Sequence, residues 1–187
     1  MNSMIWYNHI MEIERKFLVK TLPPDLSRFE AKHITQGYIS TDPVIRIRHT
    51  SVSAQKAASA ASPDHRFTGS APERTAPSDR YTLTVKGRGL MVREELNLPL
   101  TKEAFDRLKA KVEGRVIGKT RYLIPLDQSD LVCELDVFEG ALSPLVLAEV
   151  EFTSEEEAVA FTPPEWFGED VTGDPRYQNA SMAAAAN

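Results

Sequence analysis

The sequence predicts a mainly β (α+β) fold: an eight-stranded antiparallel closed barrel, or tunnel, with short peripheral helices. Two observations predict it. Eight segments alternate polar and apolar residues in the way that half-buried β-strands do. In most of them the polar positions at i and i+2, which share one face of a strand, carry charges of a single sign. A closed barrel of about eight strands has an interior that can hold such charges around a small ligand.

Strand character begins with EIERKFLV, which sets Glu12, Glu14 and Lys16 on one face of the first strand. The alternate positions of this segment are mostly apolar and suited to packing. Seven further segments have the same character. The eight predicted strands are residues 12–19, 33–40, 44–50, 80–86, 91–98, 115–124, 131–138 and 145–152.

Short helices are predicted between the later strands. The segment TKEAFDRLKAKV has a helical apolar face and begins with Thr101 as its N-cap. In SEEEAVAF, Ser154 and Glu157 have the spacing of a capping box. A final helix is predicted from about Arg176 in the alanine-rich tail.

The domain organisation follows from a change in composition. Residues 1–10 are predicted to be a loose N-terminal extension, and residues 11–187 a single domain. The segment 51–79 holds seven Ala, six Ser and three Pro, with Val52 and Phe67 as its only large apolar residues. Such a segment buries too little apolar surface to offset its ordering entropy. We therefore predict a disordered insertion between two strands.

Composition and charge exclude several classes of protein. No apolar run approaches the ~20 residues that a membrane span needs, and the single cysteine, Cys133, excludes an intramolecular disulfide. The net charge of −5 argues against a general nucleic-acid binder. The first ten residues lack the features of a secretory signal. We expect a cytoplasmic protein, a monomer or homodimer, that binds neither membrane nor nucleic acid.

The charge pattern carries the functional prediction. For any single pair, the solvated side of an amphipathic sheet is the simpler interpretation, but a solvated sheet has no reason to sort signs strand by strand. Lys16, Lys86, Arg93 and Glu95 extend the pattern. The pairs at i and i+2 are Glu12 and Glu14, Arg46 and Arg48, Lys119 and Arg121, Glu134 and Asp136, and Glu149 and Glu151.

A polyphosphate is the ligand that best explains both signs. Arginine forks and lysine ammonium groups hold its anionic oxygens, whereas carboxylates repel it unless they bind divalent cations that bridge to it. The sequence has no P-loop motif, and its four histidines are scattered rather than clustered at metal-ligand spacing. Basic residues and metal-loaded carboxylates in one interior are therefore predicted.

The motif order resembles that of a known family. EIERKFLV is similar to the ExExK signature of the CYTH, or triphosphate tunnel metalloenzyme, family. The resemblance continues through RIR, TLTVKG, GKTRY, CELDVF, AEVEF and TGDPRYQN, and it covers the chain from Met11 to about Asn179 apart from the insertion. The sequence most resembles the small bacterial members that hydrolyse inorganic triphosphate.

The resemblance implies a tunnel whose basic side holds a triphosphate and whose acidic side holds Mg²⁺ or Mn²⁺. It implies catalytic roles for Lys16, Lys119 and Asp136. Phosphate would be held by Lys16, Arg46, Arg48, Lys86, Arg93, Lys119 and Arg121. Metal would be held by Glu12, Glu14, Glu149 and Glu151, with Glu95 and Glu134 as weaker ligands.

One departure from the family pattern concerns the fifth strand. Where relatives carry two acidic residues two apart, this sequence has Glu95 and Asn97, which weakens the case for a second metal. The substrate implied is inorganic triphosphate or a small organic triphosphate. Two alternatives stay open: an adenylate cyclase of the same family, and a polyphosphate-binding module without turnover.

Overall fold

The computed structural model describes residues 8–52, 79–87, 92–127 and 130–185. Strands dominate this part of the chain, and three α-helices lie among the later ones. The strands are β1 (Asn8–Val19), β2 (Glu30–Thr41), β3 (Val44–Val52), β4 (Arg80–Lys86), β5 (Val92–Leu100), β6 (Glu113–Pro125), β7 (Val132–Phe138), β8 (Val146–Glu151) and β9 (Phe167–Asp170). The helices are α1 (Lys102–Lys109), α2 (Glu155–Ala160) and α3 (Asn179–Ala184).

The strands form one antiparallel sheet, so the predicted mainly β fold with peripheral helices is confirmed. The strand order is β5-β4-β3-β2-β6-β7-β8-β1-β9, and β5 makes an additional pairing with β1. In that pairing, the register runs from Asn8 opposite Asn97 to Ile13 opposite Val92. The order by itself is open between β5 and β9, and the predicted closure rests on the β5–β1 pairing.

The predicted number of strands is wrong, because β9 is a ninth strand. It contains only four residues and pairs with the end of β1 through Phe17 opposite Asp170 and Val19 opposite Phe167. Gly168 lets the two backbones approach closely, since a Cβ there would meet the Leu18 carbonyl oxygen at 3.0 Å. A four-residue strand with a central glycine has too little alternation to be recognised from sequence.

Two predicted boundaries also shift. β1 begins at Asn8, three residues inside the predicted N-terminal extension, because its first half has a backbone partner in β5. β3 continues to Val52, two residues inside the predicted insertion, because Ser51 and Val52 pair with β2. Residues 1–7 and 53–78, the remainder of the predicted extension and most of the insertion, lie outside the described residues.

Two apolar clusters support the sheet. The first packs on the outward face of β1, β7 and β8 under α2 and includes Phe17, Leu135 and Val150. The second includes Tyr38, Ile117, Leu147 and Met182, and through Met182 and Ala183 it joins the sheet to α3. Tyr38, Ile117 and Leu147 have the same strand parity as the charged pairs. One end of the charged face is therefore apolar and is covered by α3.

The helix caps agree with the sequence prediction, whereas the helices are shorter. Thr101 accepts a hydrogen bond from the Ala104 amide at 3.2 Å, and Ser154 accepts one from the Glu157 amide at 3.1 Å. α1 ends at Lys109 rather than at residue 112, because β6 begins at Glu113. In the described part of the chain, none of the helices combines the length and hydropathy needed to cross a membrane.

Candidate active site

The predicted charged residues gather on one face of the sheet, and most of them are buried. Their burial is a direct result of strand parity, since β1, β3, β6, β7 and β8 each turn their i and i+2 pair to the same side. Charged groups removed from water are costly unless they are paired. The buried members are Glu14, Lys16, Arg46, Lys86, Glu95, Lys119, Arg121, Asp136 and Glu149.

Cations on β6 are neutralised by carboxylates on β7 and β8. Asp136 contacts the Lys119 ammonium and accepts two hydrogen bonds from Arg121, each at 2.6 Å. Arg121 also contacts Glu134 and lies 2.5 Å from Glu149. The Lys119–Arg121 pair and the Glu134–Asp136 pair, here termed the β6–β7 wall, are thus a compensated network.

On β1, Lys16 is surrounded by acidic groups. Its ammonium lies 2.9 Å from Glu149 of β8 and 3.8 Å from Glu14 of its own strand. Lys16 is among the most completely buried side chains of the described residues. It therefore stands at the boundary between the acidic residues of β1 and β8 and the basic residues of β6.

A second set of ion pairs links β3, β4, β5 and β1. Glu95 lies 3.3 Å from Arg46 and 2.8 Å from Lys86, so one carboxylate serves two cations. Lys86 also lies 2.9 Å from Glu12. Because Lys86 is on β4 and Glu12 on β1, this contact spans β5, just as the contact between Arg121 and Glu149 spans β7.

Arg48 differs from every cation described so far. Among the described residues it takes part in no ion pair, and its Nε–H group is buried without a hydrogen-bond partner. Desolvation by the surrounding protein, together with the charges of Arg46 and Arg121, lowers the pKa of Arg48 to about 9. The side chain as a whole keeps partial solvent access. Arg48 therefore has no carboxylate as an ion-pair partner among the described residues, and a bound anion would offset its repulsion by Arg46 and Arg121.

Arg46 provides a second unused donor. Its Nη2 donates to Thr84 at 3.0 Å and to Glu95 at 3.3 Å, but its Nε–H is buried and has no partner in the described residues. Guanidinium groups present several donors in a fixed plane, so one edge can be held by the protein while another stays available.

Protonation in the site is set by the same neighbours. Burial, together with the charges of Arg121 and Arg48, lowers the pKa of Lys119 to about 8, although Asp136 and Glu149 act to raise it. Burial alone would raise the pKa of Glu149, but Lys16, Lys119 and Arg121 hold it well below its usual range. The interior therefore favours the charged form of Glu149 and disfavours the charged form of Lys119.

The acidic residues of β1 and β8 face each other. Glu14 lies directly opposite Glu151 in the register. Burial of its carboxyl group raises the pKa of Glu151, although the residue is exposed overall, and the charges of Glu12 and Glu14 raise it further. Like charges opposite each other destabilise a sheet, so this end of the face is suited to a cation.

A preformed metal site is absent from the part of the chain that the structure describes, where no three acidic, histidine or cysteine side chains converge on a point. The four predicted principal ligands, Glu12, Glu14, Glu149 and Glu151, differ in their ion-pair partners. Glu12 is paired with Lys86, whereas Glu14 and Glu149 are paired with Lys16. Glu151 has no cationic partner among the described residues.

A cavity of about 740 Å³ opens beside the turn between β2 and β3. Arg46 and Lys86 line it, together with residues of α3, among them Asn179 and Ser181. Its volume is within the range of sites for small molecules. The cavity connects solvent to the basic end of the charged face.

The structure brings together all the sequence-predicted site residues whose side chains it describes. The side chain of Arg93 lies outside the described part of the structure. Cys133 is buried in the outward-facing apolar cluster, and burial raises the pKa of its thiol to about 12, which agrees with its predicted packing role.

Sequence reasoning assigned no role to three polar residues of this face, although it placed Thr84 in step with Lys86. Lys32 lies opposite Arg121, one residue before the predicted start of the second strand. Gln36 is fully buried, and its Oε1 has no hydrogen-bond partner among the described residues. Thr84, opposite Arg46, is fully buried and bridges Arg46 to Asn97. Parity with the charged pairs was the available signal for each, since all three stand in step with them.

Comparison with known proteins gives relatives of one kind. The chain is 39% identical over 175 residues to an inorganic triphosphatase of Nitrosomonas europaea, which covers 92% of this chain and 96% of that protein. It is 36% identical over 108 residues to an inorganic triphosphatase of Acetivibrio thermocellus, covering 56% of this chain and 66% of that protein. No family model matches the chain.

Solved structures agree with the sequence relatives. A crystal structure of the inorganic triphosphatase NE1496 superimposes with a TM-score of 0.59 at 36% identity, covering 93% of this chain and 98% of that one. A second, described as the hypothetical protein NE1496, gives 0.61 at 36% identity over 94% and 99% of the chains. This chain belongs to the triphosphate tunnel metalloenzyme, or CYTH, family, with relatives that are inorganic triphosphatases.

Proposed function

We propose that this protein hydrolyses inorganic triphosphate, with a divalent metal, inside a charged tunnel. The observation that carries the proposal is the state of Arg46 and Arg48. Two adjacent guanidinium groups, one of them without any carboxylate partner in the described residues, hold buried and unpartnered Nε–H donors. A buried donor without a partner costs roughly 1–3 kcal/mol, and a phosphate oxygen removes that cost. The relatives' activity supports triphosphate as the anion.

Closure of the sheet into a tunnel is part of the proposal. It is supported by the register between β1 and β5 and by ion pairs that cross an intervening strand, namely Lys86 with Glu12 and Arg121 with Glu149. Such contacts require that the inward faces of alternate strands lie close together, which a closed barrel of about eight strands provides.

The residues in the structure fit a divalent cation by their chemistry. Mg²⁺ and Mn²⁺ prefer carboxylate oxygens, and the uncompensated Glu151 opposite Glu14 is a suitable place for one. We assign Glu12, Glu14, Glu149 and Glu151 as the principal ligands. Glu95 and Glu134 are assigned as weaker ligands, and Glu95 has Asn97 rather than a second carboxylate two residues further along its strand. When bound, the metal neutralises charge on the triphosphate and orients the attacking water.

The chain's own residues supply the remaining steps. Lys16, Lys86, Arg93 and the basic pairs of β3 and β6 hold the phosphate oxygens and stabilise the charge spread over them during transfer. The catalytic group of this proposal is Lys16, Lys119 and Asp136, and the contact between Asp136 and Lys119 fixes the ammonium. Water attacks the terminal phosphorus, the bond to the bridging oxygen breaks, and phosphate and diphosphate leave.

The test is phosphate release by the purified chain from triphosphate, pyrophosphate, ATP and thiamine triphosphate. Each substrate is assayed with Mg²⁺, with Mn²⁺ and with excess chelator. We expect the highest kcat/KM for inorganic triphosphate and no turnover in chelator. Cyclic AMP formed from ATP would instead identify a cyclase, and triphosphate binding without any product would identify a binding module. We also expect a cytoplasmic protein, a monomer or homodimer, without nucleic-acid affinity.

A further inference from the structure

Three polar side chains form a hydrogen-bonded row across β3, β4 and β5. Arg46 donates from Nη2 to the Thr84 hydroxyl at 3.0 Å, and that hydroxyl donates to the Asn97 side-chain oxygen at 2.6 Å. The row follows the register, in which Arg46 lies opposite Thr84 and Thr84 opposite Asn97. Thr84 is fully buried, so water does not replace either bond.

The row has a direction that depends on Asn97. A threonine hydroxyl has one proton and two lone pairs. Because Asn97 accepts that proton, a lone pair of Thr84 is turned toward Arg46. Without an acceptor at position 97, the hydroxyl is free to turn its proton toward the guanidinium, where it repels the Nη2–H group. Asn97 thus fixes the orientation of a group that it shares with Arg46.

The result is a guanidinium held by one edge only. Thr84 and Glu95 both contact Nη2 of Arg46, while Nε–H is buried and has no partner in the described residues. Arg46 also lines the cavity beside the turn between β2 and β3. We propose that Asn97 and Thr84 are positioning residues that present the Nε edge of Arg46 to a phosphate group, an inference that rests on the proposed triphosphatase function.

The proposal gives Asn97 a role that an acidic residue cannot fill in the same way. A carboxylate at position 97 would accept the Thr84 proton but would add a negative charge near the phosphate site. The neutral amide accepts the proton without that repulsion. Glu95, on the same strand, then belongs with the groups that hold Arg46 and Lys86.

The test compares variants of the full chain in steady-state hydrolysis of triphosphate with Mg²⁺. Thr84→Val and Asn97→Ala should raise KM by about three- to tenfold, the size of the net contribution of one ordinary hydrogen bond, with a smaller change in kcat. Thr84→Ser keeps the hydroxyl and should restore KM to within about twofold. Thr82→Val is the matched control, because Thr82 lies opposite Arg48 on the same strand but has Pro99 rather than Asn97 beside it.

The decisive step repeats the two substitutions in an Arg46→Ala background. If Asn97 and Thr84 act through Arg46, neither substitution changes KM any further there. Full additivity of the effects overturns the proposal, and so does an unchanged KM in a folded Thr84→Val protein. Circular dichroism and thermal melting verify that the variants are folded. If Thr84→Val does not fold, the test is made with Asn97→Ala, because Asn97 is only partly buried.

A calorimetric titration of metal-free triphosphate separates this proposal from the proposed function. If the wild-type chain binds triphosphate but releases no phosphate, the hydrolase assignment fails, and the same variant series measured as Kd still decides the positioning role. If the wild-type chain does not bind triphosphate at all, both proposals fail.

Discussion

Two basic pairs with the same spacing have opposite surroundings in this protein. Lys119 and Arg121 on β6 lie beside β7, which places Asp136 directly opposite Arg121. Arg46 and Arg48 on β3 lie beside β4, which places only Thr84 and Thr82 opposite them. The carboxylate that pairs with β3 is Glu95, which lies one strand further away on β5. Of the two arginines it contacts only Arg46. The neighbouring strand thus decides whether a basic pair is neutralised or left to attract an anion.

The basic pairs of β3 and β6 therefore differ in role although their spacing is the same. In the β6–β7 wall the charges compensate each other, so we expect the removal of one of them to destabilise the fold in addition to any effect on the ligand. At β3 the positive charge is in excess, so we expect its removal to weaken ligand binding without destabilising the fold. Breaking a buried pair leaves an uncompensated charge behind, whereas removing an uncompensated charge leaves none. Each of the following experiments tests one side of this difference.

The largest effect is expected from Asp136→Asn in the β6–β7 wall. The substitution keeps the size of the side chain but leaves Lys119 and Arg121 with less compensation, and we expect a loss of about 3–5 kcal/mol in the free energy of unfolding. Urea denaturation measures it. The control is Asp170→Asn. Asp170 lies 2.6 Å from Arg15, and its side chain is 40% exposed. An ion pair at such a position contributes about 1 kcal/mol or less. Equal losses in the two variants would contradict the comparison.

The next effect concerns ligand affinity. Arg48→Ala should weaken triphosphate binding by about 1.5–3 kcal/mol, or roughly ten- to a hundredfold in Kd, while the metal requirement is retained. Its free energy of unfolding should stay unchanged or increase, because an uncompensated cation is removed. Calorimetric titration and denaturation together measure both quantities. Arg28→Ala, at an exposed arginine of a short surface turn, should change neither. A destabilised Arg48→Ala with normal affinity would show that Arg48 belongs to the compensated network instead.

A smaller effect is expected from pH. The pKa of Lys119 is about 8 in the fold and 10.5 in an unfolded chain, so between these values the unfolded chain binds more protons. The contribution of this group to the free energy of unfolding therefore rises with pH across that window. The reason is that Lys119 loses its proton in the folded protein, so that a charged ammonium no longer has to be buried. Triphosphate affinity should fall over the same range, by at most about tenfold per pH unit. Lys119→Arg should flatten the affinity profile around pH 8, because arginine stays protonated.

The smallest effect is expected from deleting residues 54–77, which lie outside the described part of the chain. Thr50 of β3 lies opposite Arg80 of β4, so the ends of this segment are already joined as antiparallel neighbours. Closing a shorter loop costs less entropy, and we expect a change of no more than about 1–2 kcal/mol in the free energy of unfolding, toward stabilisation. Thermal melting and phosphate release measure the outcome. A collapse of stability, or a large change in triphosphate affinity, would mean that the segment contributes to the fold or to the charge balance at β3.

Much of the site could be predicted because strand parity is a local property. The alternation in EIERKFLV places Glu12, Glu14 and Lys16 on one face whichever strands lie beside it. The same reasoning placed Arg46 with Arg48 and Lys119 with Arg121. Each of these assignments requires only that the segment is a strand and that its inward-facing residues are known. Both can be inferred from the alternation of a few residues.

Pairing could not be predicted in the same way, because it depends on which strands are neighbours. Nothing in VIRIRHT indicates that its cations meet threonines, or in GKTRY that its cations meet Asp136. The row from Arg46 through Thr84 to Asn97 also needs three strands in a particular register. β9 and the first residues of β1 were missed for the same reason, since their strand character comes from a partner rather than from their own alternation.

The partners of β1 also determine when this fold can be completed. Its first half pairs with β5, and its second half pairs with β8 and β9, whose residues follow more than a hundred positions later in the chain, as in the pairing of Glu14 with Glu151. During synthesis the strand with the ExExK motif therefore emerges first, and its second half is paired only after β8 and β9 have emerged. Contacts this distant in sequence are made slowly, on the order of milliseconds to seconds. Until then the second half of β1 is an unpaired edge, and its charged side chains discourage other chains from pairing with it.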